Sequence, residues 1–370
     1  MNATALVLES PRALSPREFA LPEIGDDDGI LRIEACGLCG TDHEQWSGAL
    51  PGPGPFVPGH ESVGIVEAVG AGAAARWGVE VGHRVAVEVF QSCRRCSRCE
   101  SGEYRQCRAH GLGDMYGFVA ADKAPGLWGG YATHQYLAPD SLLVPVPDGV
   151  DPVVATLFNP LGAGIRWAVT VPGTGAGDVV AVLGPGIRGL CAMVAALEAG
   201  AGFVMVTGHG ERDRERLAVA RDFGAHLVVD VATEDPVRAL RAASGSAADV
   251  VVDVTAKAPA ALGQAVALAR PGGTIVLAGT RGSTETPGFD PDHVVYKELR
   301  VLGALGVDTA SYAAALELLA ADRHPWATIP RRVVGLDGVD ELLASMAGEG
   351  GPAPLHAVLV PGPGLPTEAG

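Results

Sequence analysis

The chain has 370 residues, 48% of them hydrophobic, which is too long for one comfortable core and supplies enough apolar side chain to bury two. Its formal net charge of -16, from 43 acidic against 27 basic residues, is spread without a long block of either sign, so nucleic acid and anionic membrane surfaces are excluded as expected partners. Met1 to Glu9 lacks the basic start and apolar core of an export signal, and the apolar stretch Leu190 to Val206 is broken by Glu198, Gly200 and Gly202, so a soluble, cytoplasmic protein is expected.

From Ala3 to about Pro147 the pattern is short alternating strands punctuated by turn residues, as in Gly29 to Ala35, Ser62 to Ala68 and His83 to Val89. This predicts a mostly-β unit with inserted loops. Two of those loops carry chemistry-bearing residues: Cys39-Gly-Thr41-Asp42-His43-Glu44, and Gly59-His60-Glu61. A thiolate and an imidazole brought from separate loops suit zinc, with a position left open for water or substrate. Read alone, without the surrounding motifs, Cys39 fits a small core residue and His60 a satisfied buried histidine better than a ligand pair.

Next comes a lobe at about residues 90–110, in which Cys93, Cys96, Cys99 and Cys107 follow the spacing C-x2-C-x2-C-x7-C. Four thiolates at such spacing make a closed, structural zinc site rather than a catalytic one. A pair of disulfides is the alternative, but seven cysteines in a long chain without a secretory signal point to a reduced compartment.

From Leu161 to about Leu302 the pattern changes to strand, glycine turn, helix and strand. Repeated units of this kind with fully apolar strands predict an α/β fold with a doubly wound parallel sheet. The strand Asp178 to Leu183 runs into Gly184-Pro-Gly186-Ile187-Arg188-Gly189, which opens a helix, and a second strand ends near Thr207. In that context the glycines permit a tight turn and close approach of backbone amides to a pyrophosphate, at a helix N-terminus of positive potential. Where an NAD-specific site carries an acid at the end of the second strand, this chain has Thr207-Gly208-His209. Glu211 and Asp213 follow, but so do Arg212 and Arg214, and NAD against NADP stays open. Further strands are expected at Val250 to Val254 and Gly273 to Ala278, and two helices and a strand, Ser311 to Ala321, Gly338 to Met346 and His356 to Val360, return to the first unit. Pro361 to Gly370 reads as a loose tail.

The C-G-T-D at Cys39 to Asp42, the G-H-E at Gly59 to Glu61, the four-cysteine lobe, the turn Gly184 to Gly189 and Lys297-Glu298-Leu299 stand in an order that resembles the zinc-dependent medium-chain dehydrogenases, over nearly the whole chain. The resemblance implies a GroES-like, mostly-β catalytic domain at 1–160, a Rossmann dinucleotide-binding domain at 161–302, and a segment 303–370 returning to the catalytic domain. It implies hydride transfer between an alcohol, polyol or sugar hydroxyl and NAD or NADP, and a homodimer or homotetramer. Carried over, Cys39 and His60 ligate a catalytic zinc, Glu61 lies in or beside its ligand shell, and Thr41 bonds the substrate hydroxyl. Cofactor contacts fall on Gly184, Gly186, Ile187, Arg188, Gly189, Thr207, Gly208, Thr255 and Gly279.

Two departures follow. Where relatives often have a histidine five residues after the ligand cysteine, this chain has Glu44, with His43 one earlier. Where relatives place Cys, Glu or Asp as the third zinc ligand, this chain has Asn159, whose neutral amide oxygen is a poor zinc donor and which equally fits a turn before Pro160. Alternatives to net alcohol oxidation are a redox-neutral enzyme that keeps its nicotinamide bound, and a cofactor-binding protein without turnover.

Overall fold

The computed structural model describes residues 1–280, 282 and 285–362, so the expected tail lies, apart from Pro361 and Gly362, outside the described residues. Two compact units are present: Met1–Phe158 with Leu316–Gly370, and Asn159–Ala315.

The first unit begins with an antiparallel hairpin, β1 (Asn2–Ser10) and β2 (Ala13–Ala20). There follow β3 (Gly29–Leu38), β4 (Glu61–Val69), β5 (Arg84–Val87), β6 (His134–Leu137) and β7 (Leu143–Pro145). The apolar positions of β1, β3 and β4, among them Val7, Leu31, Ile33 and Val66, are withdrawn from solvent into one core. That core also receives Val339, Leu342 and Leu343 from the late helix Val339–Met346. Burial of such side chains, about 1.5–3 kcal/mol each, is what recruits the C-terminal segment.

In the second unit the strands are β8 (Val179–Leu183), β9 (Phe203–Gly208), β10 (Leu227–Asp230), β11 (Ala248–Asp253), β12 (Ala269–Leu277) and β13 (Arg300–Gly303). All their pairings are parallel, in the order β10-β9-β8-β11-β12-β13. The winding reverses between β8 and β11, which makes the carboxyl ends of these two strands the natural ligand crevice of such a sheet. Val180, Ala181 and Val182 are fully buried, which explains why β8 reads as an unbroken apolar run rather than an alternating one.

Back in the first unit, β14 (Arg331–Val334) and β15 (His356–Leu359) complete a seven-stranded sheet in the order β14-β15-β3-β4-β5-β7, with β6 also on β3. The return to this unit begins at Leu316 rather than at 303. Three contacts fasten the intervening residues to the second unit: Arg166 Nε to Asp308 at 3.1 Å, Trp167 Nε1 to the Gly306 carbonyl at 3.0 Å, and Asn159 Nδ2 to the Tyr312 hydroxyl at 2.8 Å. No helix among the described residues is long and apolar enough to cross a membrane.

Candidate metal centres and nucleotide turn

Cys39 directly follows β3 and His60 directly precedes β4. Because these strands pair antiparallel with Gly37 opposite Glu61, both residues emerge at the same end of the ladder. Cys39 Sγ and His60 Nε2 stand 3.2 Å apart, a gap that zinc bonds of about 2.3 Å to sulfur and about 2.0 Å to nitrogen can span. Cys39 is also the N-cap of the helix Gly40–Ser47, where its sulfur accepts the Thr41 N–H at 3.3 Å. A helix N-terminus favours the thiolate, the form that binds metal. The residues present therefore fit zinc.

Asp42 is the third member of this group: its carboxylate, Cys39 Sγ and a His60 nitrogen all lie within 4.8 Å of one another, and all three residues are buried. Asp42 Oδ2 takes the Cys39 backbone N–H at 2.8 Å, and Oδ1 lies 3.7 Å from His60 Nδ1. The imidazole thus turns one nitrogen toward the thiol and the other toward the carboxylate. A carboxylate behind the ring orients a ligand histidine and keeps its proton on the outer nitrogen. Glu61 stands outside the group; its carboxylate lies against Gly37, so that a Cβ on Gly37 would come within 2.3 Å of Oε2. Thr41 is half-buried in the first turn of the same helix.

Asn159 belongs to the second unit, where both ends of its amide are engaged. Oδ1 accepts from Arg188 Nη2 at 3.1 Å, and Nδ2 donates to the Tyr312 hydroxyl. The Arg188 guanidinium in turn lies over the Trp167 ring, 5.2 Å from its centroid. Sequence reading had no signal for this pairing, since Asn159 and Arg188 are separated by a helix and a strand.

Cys93, Cys96, Cys99 and Cys107 bring their sulfurs within 4.8 Å of one another. None is in a disulfide, and neither are Cys36, Cys39 and Cys191. Backbone N–H groups of Arg108 and Cys99 hold the Cys96 thiol down to about 6, favouring thiolate at neutral pH. Four converging thiols fit a closed structural zinc.

At the nucleotide turn, Gly184 has φ +104°, a conformation that disfavours any side chain, and its N–H donates to the Thr207 carbonyl at 3.1 Å. A Cβ on Gly189 would lie 1.8 Å from the Gly184 carbonyl oxygen, so the helix Ile187–Glu198 can press onto β8 only with glycine there. Gly186, by contrast, faces open space. Thr255 packs beside Gly184 and its hydroxyl donates to Asp253 at 2.6 Å; Gly279 lies against the Thr255 carbonyl. Gly184, Thr207, Gly208, Thr255 and Gly279 therefore gather at the carboxyl ends of β8, β9, β11 and β12. Beyond β9, Asp213 is buried and takes the His209 N–H at 2.9 Å, while Arg212 and Arg214 are exposed.

The family model "Alcohol dehydrogenase GroES-like domain" matches residues 25–148, and "Zinc-binding dehydrogenase" matches residues 189–321. A Mycobacterium tuberculosis protein named "probable alcohol dehydrogenase" is 66% identical over 96% of this chain and 98% of its own length. An alcohol dehydrogenase of Geobacillus stearothermophilus is 32% identical over 74% of this chain and 76% of its own. Among solved structures, a zinc-binding dehydrogenase from Sinorhizobium meliloti bound to NADP superposes with a TM-score of 0.83 at 27% identity, covering 98% of this chain and 100% of that one. With both of its domain models matched and near-complete coverage by such relatives, the chain belongs to the zinc-dependent medium-chain dehydrogenase family.

Proposed function

We infer that this chain is a zinc-dependent oxidoreductase that moves hydride between an alcohol, polyol or sugar hydroxyl and NAD(P), giving an aldehyde or ketone. The observation that carries the reading is the buried Cys39 and His60 pair, 3.2 Å apart, in a chain that also holds the glycine turn on a reversed-winding sheet. Zinc held by Cys39 and His60 supplies Lewis acidity that eases deprotonation of an alcohol, and the nicotinamide supplies the redox chemistry. The protein's own part is position: Asp42 orients His60, Thr41 lies two residues from Cys39 for the substrate hydroxyl, and the turn amides hold the pyrophosphate.

Asn159 we assign to Arg188 instead of to zinc. Its oxygen is a neutral donor already accepting from a guanidinium, and its nitrogen is spent on Tyr312. A third protein ligand, where one is used, is then Glu61, adjacent to His60 in sequence, once its carboxylate leaves its place against Gly37. Seven thiols without a disulfide suit a reducing cytoplasm. The outer strand β13, with Val301, Val295, Tyr296 and Leu305 exposed on and around it, suits pairing with a second copy in a homo-oligomer.

Steady-state screening of alcohols and carbonyls with NAD and NADP, on the wild type and Cys39→Ser, tests the reading. The variant should lose at least about a thousandfold in turnover while binding NAD(P) within about threefold of wild type. Full activity in Cys39→Ser would remove the zinc from the mechanism.

A further inference from the structure

Among the buried polar atoms of the first unit that lack a hydrogen-bond partner, three belong to one neighbourhood: Asp42 Oδ1, His60 Nδ1 and the Tyr131 hydroxyl. Tyr131 is fully buried, Asp42 is 1% exposed and His60 is 7% exposed. Leaving any one of them unsatisfied costs about 1–3 kcal/mol, and more for the charged carboxylate. They are also neighbours. Asp42 Oδ1 lies 3.7 Å from His60 Nδ1, and the Asp42 carboxylate also faces the Tyr131 phenol. The Tyr131 ring packs on Gly59, the residue before His60, so closely that a Cβ there would come within 2.5 Å of it.

The chemistry of the three atoms is complementary. When Nε2, which faces Cys39, ligates zinc, the ring proton resides on Nδ1, so Nδ1–H is then a donor. The phenol is a donor as well, because burial first and then the negative charge of Asp42 hold its ionisation well above the ordinary tyrosine value. Asp42 Oδ1 is an acceptor with two lone pairs, while Oδ2 is already committed to the Cys39 N–H. One oxygen can thus take both donors.

We propose that Tyr131 is a positioning residue of the metal centre: its hydroxyl donates to Asp42 Oδ1 and locks the carboxylate that holds His60 Nδ1–H, so fixing the direction in which His60 presents Nε2 to zinc. The inference rests on the assignment of Cys39 and His60 as zinc ligands. Tyr131 acts through two intermediaries and touches neither substrate nor metal. A phenylalanine would fill the same volume and keep the packing on Gly59, so the hydroxyl alone is what the proposal assigns a role.

The experiment uses the full chain. Zinc is titrated out of wild type and Tyr131→Phe with a chromophoric chelator, the four-cysteine site serving as internal reference, and cobalt replaces zinc for visible spectroscopy. Outer partners of ligand histidines typically govern affinity by 10–100-fold. Tyr131→Phe is expected to weaken the second site by about tenfold or more, shift the cobalt bands of that site and leave the four-cysteine site unchanged. In an Asp42→Asn background, which removes the acceptor charge, the added effect of Tyr131→Phe should fall below about twofold. Second-site affinity within about twofold of wild type together with unchanged cobalt bands would overturn the proposal, as would undiminished loss in the Asp42→Asn background. Cys39→Ser separates this from failure of the underlying assignment: if it binds as many zinc ions as wild type, Cys39 is no ligand and the site itself is misplaced.

Discussion

Replacing His356, an interior histidine of β15 far in sequence from any proposed ligand, should remove a defined part of the acid sensitivity of the fold. The Thr156 hydroxyl donates its only proton to the Val153 carbonyl at 2.7 Å, so His356 Nε2, 3.0 Å from that hydroxyl, must carry the hydrogen. Nδ1 is then the basic nitrogen, and it is buried without a partner. Burial first, and the neighbouring Arg331 guanidinium second, push His356 down to about 3 from the ordinary 6.5. Above 6.5 the group is neutral in folded and unfolded chain alike and contributes nothing to pH dependence. Below it the unfolded chain takes up a proton that the folded chain refuses, so stability falls as the pH drops, until the folded value near 3 is reached. At about 1.4 kcal/mol per unit, the loss between pH 7 and pH 5 is about 2 kcal/mol. His356→Gln keeps a donor for Thr156 and cannot titrate. Denaturant unfolding of the first unit's transition at the two pH values should therefore show the wild type losing about 2 kcal/mol more than the variant, and the imidazole NMR signal of His356 should stay in its neutral position down to pH 4.5. Equal losses in the two proteins, or an imidazole that titrates near its ordinary value in the folded state, would refute the assignment of a buried, neutral histidine.

Two further substitutions probe the second unit. In Gly189→Ala the new methyl meets the Gly184 carbonyl, a backbone atom that cannot swing aside, so the unit should lose about 1–3 kcal/mol by thermal unfolding and NAD(P) binding should fall at least tenfold by reduced-nicotinamide fluorescence. Gly186→Ala meets no neighbour, so it should weaken cofactor binding similarly with its unfolding temperature unchanged; a cofactor affinity equal to wild type would remove the turn from the binding site. Asn159→Asp places a carboxylate against Arg188, which should neutralise it and leave the labile zinc within about threefold of its wild-type affinity. A gain of tenfold or more would mean that position 159 ligates zinc after all.

Much of the first unit was legible because strand alternation and turn residues act over a few neighbours. The loops carrying Cys39 and His60, and the four-cysteine lobe, declare themselves by residue type and spacing. The importance of Asp42 had a local signal, since an acid three residues after an N-cap is a helix-start pattern. Within C-G-T-D that signal is one letter among four. Tyr131 had no signal at all: it lies in a stretch that reads only as part of a β-rich unit, and its hydroxyl comes to face Asp42 with its ring packed on Gly59.

Sequence by itself determined the elements, the apolar strands of the parallel sheet, the thiol cluster and the glycine turn, because each depends on interactions within a few residues of chain. Tertiary structure alone decided what each polar group faces. It gave Asn159 to Arg188 and Tyr312, carried residues 303–315 to the second unit through Asp308 and Gly306, and turned the two nitrogens of His60 to Cys39 and Asp42. Those pairings join residues distant along the chain, and a hydrogen bond formed by folding leaves no period or spacing in the sequence from which to read it.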